Sequence, residues 1–152
     1  MLTPEIPGSL ACTATKKEGL IMGKSVAENL KEFCTKGGGP GALVCDGKGK
    51  IISSAGTVTP TMKNYIEELA PILCPGVKRM ADQTGNLDEA QGVSIPEDGL
   101  HALVYWLKDE NYLFCLFGGQ VDPYNPPMAS IELCRELRSQ MGKGNWWKFW
   151  GN

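Results

Sequence analysis

Two segments, Leu100-His-Ala-Leu-Val-Tyr-Trp-Leu107 and Tyr112-Leu-Phe-Cys-Leu-Phe117, are apolar almost without interruption and are joined by the polar turn Lys108-Asp-Glu-Asn111. They read as a hairpin. A strand with one wet face alternates apolar and polar residues, whereas runs this continuous belong to strands covered on both faces. The rest of the chain must then supply layers for both sides of a sheet.

It has the patterns to do so. From Gly23 to Cys34 the apolar residues Val26, Leu30, Phe33 and Cys34 recur at helical spacing, with Ser25 and Glu28 placed as a capping box. Gly37-Gly-Gly-Pro-Gly41 breaks that helix. Gly41-Ala-Leu-Val-Cys-Asp46 and Lys50-Ile-Ile-Ser-Ser-Ala55, with Asp46-Gly-Lys-Gly49 as the turn, form a first hairpin. Thr57 to Pro60 then introduces an amphipathic helix carrying Met62, Tyr65, Ile66, Leu69, Ile72 and Leu73 on one face, expected to end before Pro75-Gly76. Residues 78–91 are polar and are expected to be a mobile connection. A short strand, Gly92-Val-Ser-Ile95, precedes the apolar hairpin. A last helix follows the proline-rich loop 118–127, with Met128, Ile131, Cys134, Leu137 and Met141 as its apolar stripe.

The expected fold is therefore α/β (α+β), one domain with a five-stranded, mainly antiparallel sheet in the order α-β-β-α-β-β-β-α. Its parts are a leader over 1–19, the domain over 20–141 and an aromatic tail over 142–152.

Composition excludes several functions. The 152 residues carry 15 basic and 17 acidic side chains, a net charge of −2, so the electrostatic footprint of a nucleic-acid binder is missing. The first twelve residues have no basic start and no continuous apolar run, unlike a secretory signal, and no stretch approaches the roughly 20 apolar residues of a membrane span. A cytoplasmic protein is expected. The six cysteines, at 12, 34, 45, 74, 115 and 134, contain no Cys-x-x-Cys and fall mostly within apolar patterns, as reduced, buried thiols would. With a single histidine, a zinc site has little basis.

No catalytic set emerges, and neither an enzyme nor a cofactor is expected. Gly23-Lys24-Ser25 matches the end of a phosphate-binding loop, but the position five residues before Gly23 is Glu18 rather than glycine, and Ser25 serves better as a helix cap. His101 has no nucleophile paired with it in the sequence. Asp46, Asp109 and Glu110 lie in turns, where carboxylates are common for backbone reasons. The tail Gly144-Asn-Trp-Trp-Lys-Phe-Trp-Gly-Asn152 stands apart. Trp146, Trp147, Phe149 and Trp150 suit a cover for the protein's own core, an anchor in a partner's groove, or a peripheral membrane contact.

The element order, together with Gly41 to Gly56 and its Asp-Gly-Lys-Gly turn, resembles the roadblock/dynein light-chain family, as does the stretch Gly92 to Phe117. The match covers about residues 20–141. It implies a non-enzymatic module that works as a homo- or heterodimer with a roadblock-like chain, scaffolding or regulating a Ras-like GTPase or a motor complex. Carried onto this chain, it places the dimer surface on Met62, Tyr65, Ile66, Leu69, Ile72 and Leu73 and on the strand with Val93 and Ile95. The apolar helix and a short strand open to edge pairing support that surface independently. Alternatives are a profilin-like binder of actin or proline-rich peptides, which the terminal helix and first hairpin partly resemble, and a small-molecule sensor domain.

Overall fold

The computed structural model describes residues 25–95 and 99–141. Helix α1, Val26–Thr35, begins at the predicted capping box: Glu28 N–H donates to Ser25 Oγ at 3.1 Å and Ser25 N–H to Glu28 Oε1 at 2.8 Å. Two helix-start donors are satisfied in this way. Strands β1, Gly41–Asp46, and β2, Ile51–Gly56, form the first hairpin. Asp46 makes its turn, with Oδ1 accepting from the amides of Lys48 and Lys50 at 2.9 and 3.0 Å.

Helix α2 runs from Pro60 to Thr84, well past the predicted stop at Pro75. Pro71 and Pro75 lie inside it and are both exposed. Each removes one amide donor and costs a helix interior about 3 kcal/mol. Against that, Met62, Ile66, Ala70, Cys74, Val77 and Ala81 form one buried stripe that continues beyond both prolines. Each large side chain in such a stripe contributes about 1.5–3 kcal/mol on burial. Tertiary packing therefore outweighs the breakers, and the helix ends only at Gly85, whose N–H returns to Ala81 O at 2.9 Å.

Strand β3, Ala90–Ser94, starts two residues before its predicted position and leaves Ile95 to close the next turn through its N–H to Leu100 O. Strands β4, His101–Lys108, and β5, Asn111–Phe117, form the apolar hairpin, and α3, Met128–Met141, ends the described chain. The sheet order is β2-β1-β5-β4-β3, antiparallel throughout. The resulting α-β-β-α-β-β-β-α domain is the predicted one.

Both faces of the sheet are covered, as its central strands require. Val44, Leu103, Tyr105, Leu113 and Cys115 pack beneath α1 and α3, while Leu43, Val104, Phe114 and Leu116 pack beneath α2. The stripe of α3 differs in detail from its expectation. Met128 is 60% exposed and Ile131 half-buried, while Ser130 and Leu133 face inward. Ser130 is tolerated there because Oγ donates to Pro127 O at 2.7 Å and lies 2.8 Å from Tyr105 Oη.

The stretch 78–91 is not the mobile connection expected from its polarity. Its first half is helix, and its second half is tied to α3. Asp88 accepts from Arg135 Nε and Nη2 at 3.0 and 2.7 Å, and from Arg138 Nη1 at 3.4 Å. Arg138 also donates to the carbonyls of Leu87, Trp106 and Leu107. Partial burial opposes ionisation of Asp88, but Arg135 and then Arg138 outweigh it and hold the carboxyl below its ordinary value. A depressed pKa adds stability above the unfolded value of about 3.9, and that stability is lost as pH falls through the folded value. Arg138→Ala is expected to lower the unfolding free energy by roughly 2–3 kcal/mol in urea melts. Asp88→Asn should remove part of the stability lost on acidification below about pH 4.

Candidate interaction surface

A helix lying on a sheet has two flanks, and those of α2 are finished differently. On the flank toward β1 and β2, the turn glycine Gly49 comes so near that a Cβ there would stand 2.5 Å from Glu67 Cα. Farther along, Lys78 Nζ lies 5.5 Å above the Trp106 ring and 3.5 Å from Glu110 Oε2, while Trp106 Nε1 donates to Asp109 O at 2.8 Å. That flank is occupied by the protein's own contacts.

The opposite flank carries Tyr65, Leu69, Ile72, Gly76 and Met80, at the i, i+4, i+7, i+11, i+15 spacing of one helical face. Tyr65 Oη donates to Ser94 O at 3.2 Å, which turns this side toward β3. β3 is an edge strand, paired with β4 alone among the described residues. An uncharged helix flank and an unpaired ladder edge therefore share one side of the molecule. From Leu69 to Val77 the chain has no charged residue, and Ile72 is 80% exposed.

The residues proposed from the sequence separate by depth. Met62, Ile66 and Ile95 are buried against the protein's own sheet and offer no surface to a second chain. Tyr65, Leu69, Leu73 and Val93 are half-buried, and Ile72 is open. Gly76 and Met80 extend the same flank beyond Pro75, where the helix was expected to stop. The continuing 3.6-residue spacing was the signal that could have found them. Trp146, Trp147, Phe149 and Trp150 lie outside the described residues.

Other groups do not converge on chemistry. Ser94 Oγ and His101 Nδ1 are 3.4 Å apart beside an open cleft between β3 and the loop carrying Val121 and Pro123. Asp122 lines the same cleft, but its Oδ1 accepts from Tyr124 N–H. The five described cysteines are free thiols, four of them buried. A hydrogen bond with Cys74, then burial, pushes the Cys45 thiol far up, while burial lifts Cys115 well above its ordinary value and Cys134 to about 11. Such thiols stay protonated and pack as small hydrophobes. Among the described residues no cluster of three or more His, Cys, Asp or Glu could hold a metal ion, and no helix is long and apolar enough to cross a membrane.

By sequence, no protein-family model and no curated protein matches the chain. By structure, it resembles Myxococcus xanthus MglB, with a TM-score of 0.58 and 14% identity over 76% of this chain and 86% of that one. A structure of MglB in a tetrameric arrangement gives a TM-score of 0.50 and 16% identity, over 76% and 83% of the two chains. A roadblock/LC7 domain from Streptomyces avermitilis gives 0.47 and 14%, over 68% and 86%. The first two carry the conclusion: the chain has the fold of the MglB structures.

Proposed function

We propose that the chain is a non-enzymatic protein-interaction module of the cytoplasm, dimeric through the α2 flank and the β3 edge, that scaffolds or regulates a Ras-like small GTPase or a multi-subunit complex. The observation that carries the pairing is the placement of an open sheet edge beside an uncharged helix flank with Ile72 exposed. Unpaired strand groups bind another strand readily, and natural proteins cover or charge such edges when they must stay alone. Here the nearest helix surface offers apolar contact instead. One of the MglB structures of this fold shows a tetrameric arrangement, so self-association is compatible with the architecture. The GTPase part of the reading rests on the roadblock resemblance.

Two measurements test it. Light scattering over about 1–100 μM is expected to show a dimer with a dissociation constant in the micromolar range or tighter, as interfaces of about 1,600 Å² commonly give. A chain that stays monomeric throughout would sink the pairing. Calorimetric titration with a Ras-like GTPase from the same cell, loaded in turn with GDP and a non-hydrolysable GTP analogue, is expected to show binding that prefers one nucleotide state. Equal absence of heat in both states would remove the GTPase from the reading.

A further inference from the structure

Helix α3 does not cover the whole length of the β3–β4 pair. Tyr105 lies beneath it, with Oη 2.8 Å from Ser130 Oγ, but at the other end of the ladder, where Ser94 pairs with His101, the loop 118–127 takes its place. Side chains alternate along a strand, so Ser94 shares a face with Gly92 and Ala90, and His101 with Leu103 and Tyr105. That face is the one under α1 and α3. The loop meets it at two points: Pro123 rests on Gly92, where a Cβ would stand 3.4 Å from the proline ring, and Val121 packs against the core. Beside these contacts an open cleft of about 610 Å³ remains, a size that takes a small ligand.

The polar groups of the cleft are held by the protein itself. Ser94 is fixed by its ladder with His101 and by Tyr65, whose Oη donates to its carbonyl at 3.2 Å. Asp122 accepts the Asn125 N–H at its carbonyl, 3.0 Å, and the Tyr124 N–H at Oδ1, 2.9 Å. Little ordering is then left for a ligand to impose. The free valences are acceptors. Asp122 Oδ2 has no hydrogen-bond or ion-pair partner among the described residues, and neither has Gln120. Ser94 Oγ, 3.4 Å from His101 Nδ1, keeps a lone pair whichever of the two atoms donates. No lysine or arginine lines the cleft, so its one carboxylate favours a cation and repels an anion.

We propose that this cleft binds a primary ammonium group carried on a short apolar stem, with Asp122 as its counter-ion, Ser94 and Gln120 as further acceptors, and the stem against Val121 and Pro123. An ammonium has three donors and no acceptor, which matches a set of acceptors and no cation. The cleft lies on the α3 face of the sheet and not on the β3 edge. It is therefore a site of the single chain, whether or not two copies pair.

His101 is the only histidine, so its imidazole proton signals report on the cleft of the untagged chain without further assignment. Titration with n-butylamine at constant pH and ionic strength is expected to move them along a saturating curve, with a dissociation constant of about 1–5 mM for so small a ligand. Sodium acetate should produce no such curve. Asp122→Asn keeps an acceptor for the Tyr124 N–H and should weaken butylamine binding at least about tenfold, while Ser94→Ala should weaken it about threefold. Circular-dichroism melts establish that both exposed substitutions leave the fold in place. A lysine side chain carries the same head and stem, so Nα-acetyl-lysine methylamide forms a second arm: weaker binding than butylamine assigns the site to a free amine, and equal or tighter binding to a lysine of another protein. The site is overturned if no curve saturates below about 50 mM, if acetate moves the signals as far, or if Asp122→Asn binds butylamine unchanged.

Discussion

Gly56→Ala is expected to leave the chain largely unfolded, with a loss of about 4 kcal/mol or more, comparable to the whole stability of many small domains. Gly56 ends β2 opposite Gly41 with φ +77°, a conformation in which a Cβ costs roughly 1–2 kcal/mol before it meets any neighbour. The neighbours are closer still. A Cβ at this position would stand 2.2 Å from Pro40 O, 2.9 Å from Gly41 Cα and 2.9 Å from Cys34 Sγ. Pro40 O cannot retreat, because it accepts the Thr57 N–H at 2.9 Å and belongs to the connection that brings α1 over β1. Gly37→Ala is the control. Gly37 has φ +81° but nothing within 4 Å of an added Cβ, so it isolates the backbone cost. Urea unfolding of the two variants should differ by about 2–3 kcal/mol or more. Equal losses would mean that the close approach under α1 contributes nothing.

Gly56 stands just after the second predicted strand, and nothing in the sequence shows why a glycine is needed there. A sequence shows that a glycine follows a strand; only the fold shows a carbonyl beneath it. The same limit runs through the rest of the chain. Local signals were read correctly, because the Ser25–Glu28 box and the Asp46 turn depend on residues two to four apart. Signals with distant partners were misread. Asp88 looked like part of a polar loop because Arg135 and Arg138 lie 47 and 50 residues away. The end of α2 failed for a related reason: proline is a local breaker, and the burial of Val77 and Ala81 that overrides it is a property of the sheet. At the candidate surface, helical spacing marked an apolar arc on α2 without saying which part faces inward. Met62 and Ile66 were therefore grouped with Ile72, although they point into the core.

That grouping leads to opposite expected outcomes for one substitution made twice on the same helix. Ile66→Glu should abolish folding. Ile66 is fully buried against Leu43, Phe114 and the rest of the α2-facing layer, where a carboxylate would lose its hydration. Ionised or neutralised, it would cost roughly 5 kcal/mol or more, counting the lost apolar burial. Ile72→Glu, at 80% exposure, should change the monomer's stability by no more than about 0.5 kcal/mol. Its effect should fall on association. A carboxylate on the uncharged stretch from Leu69 to Val77 is expected to weaken the proposed dimer at least about a hundredfold. Thermal melts followed by circular dichroism, beside light scattering of the same samples, separate the two effects. A folded, monomeric Ile72→Glu chain would show that the outer flank of α2 is held for a partner and not for the core. If that chain dimerises as the unmodified one does, the flank is not the interface, and if it unfolds, α2 does not lie on the sheet in this orientation.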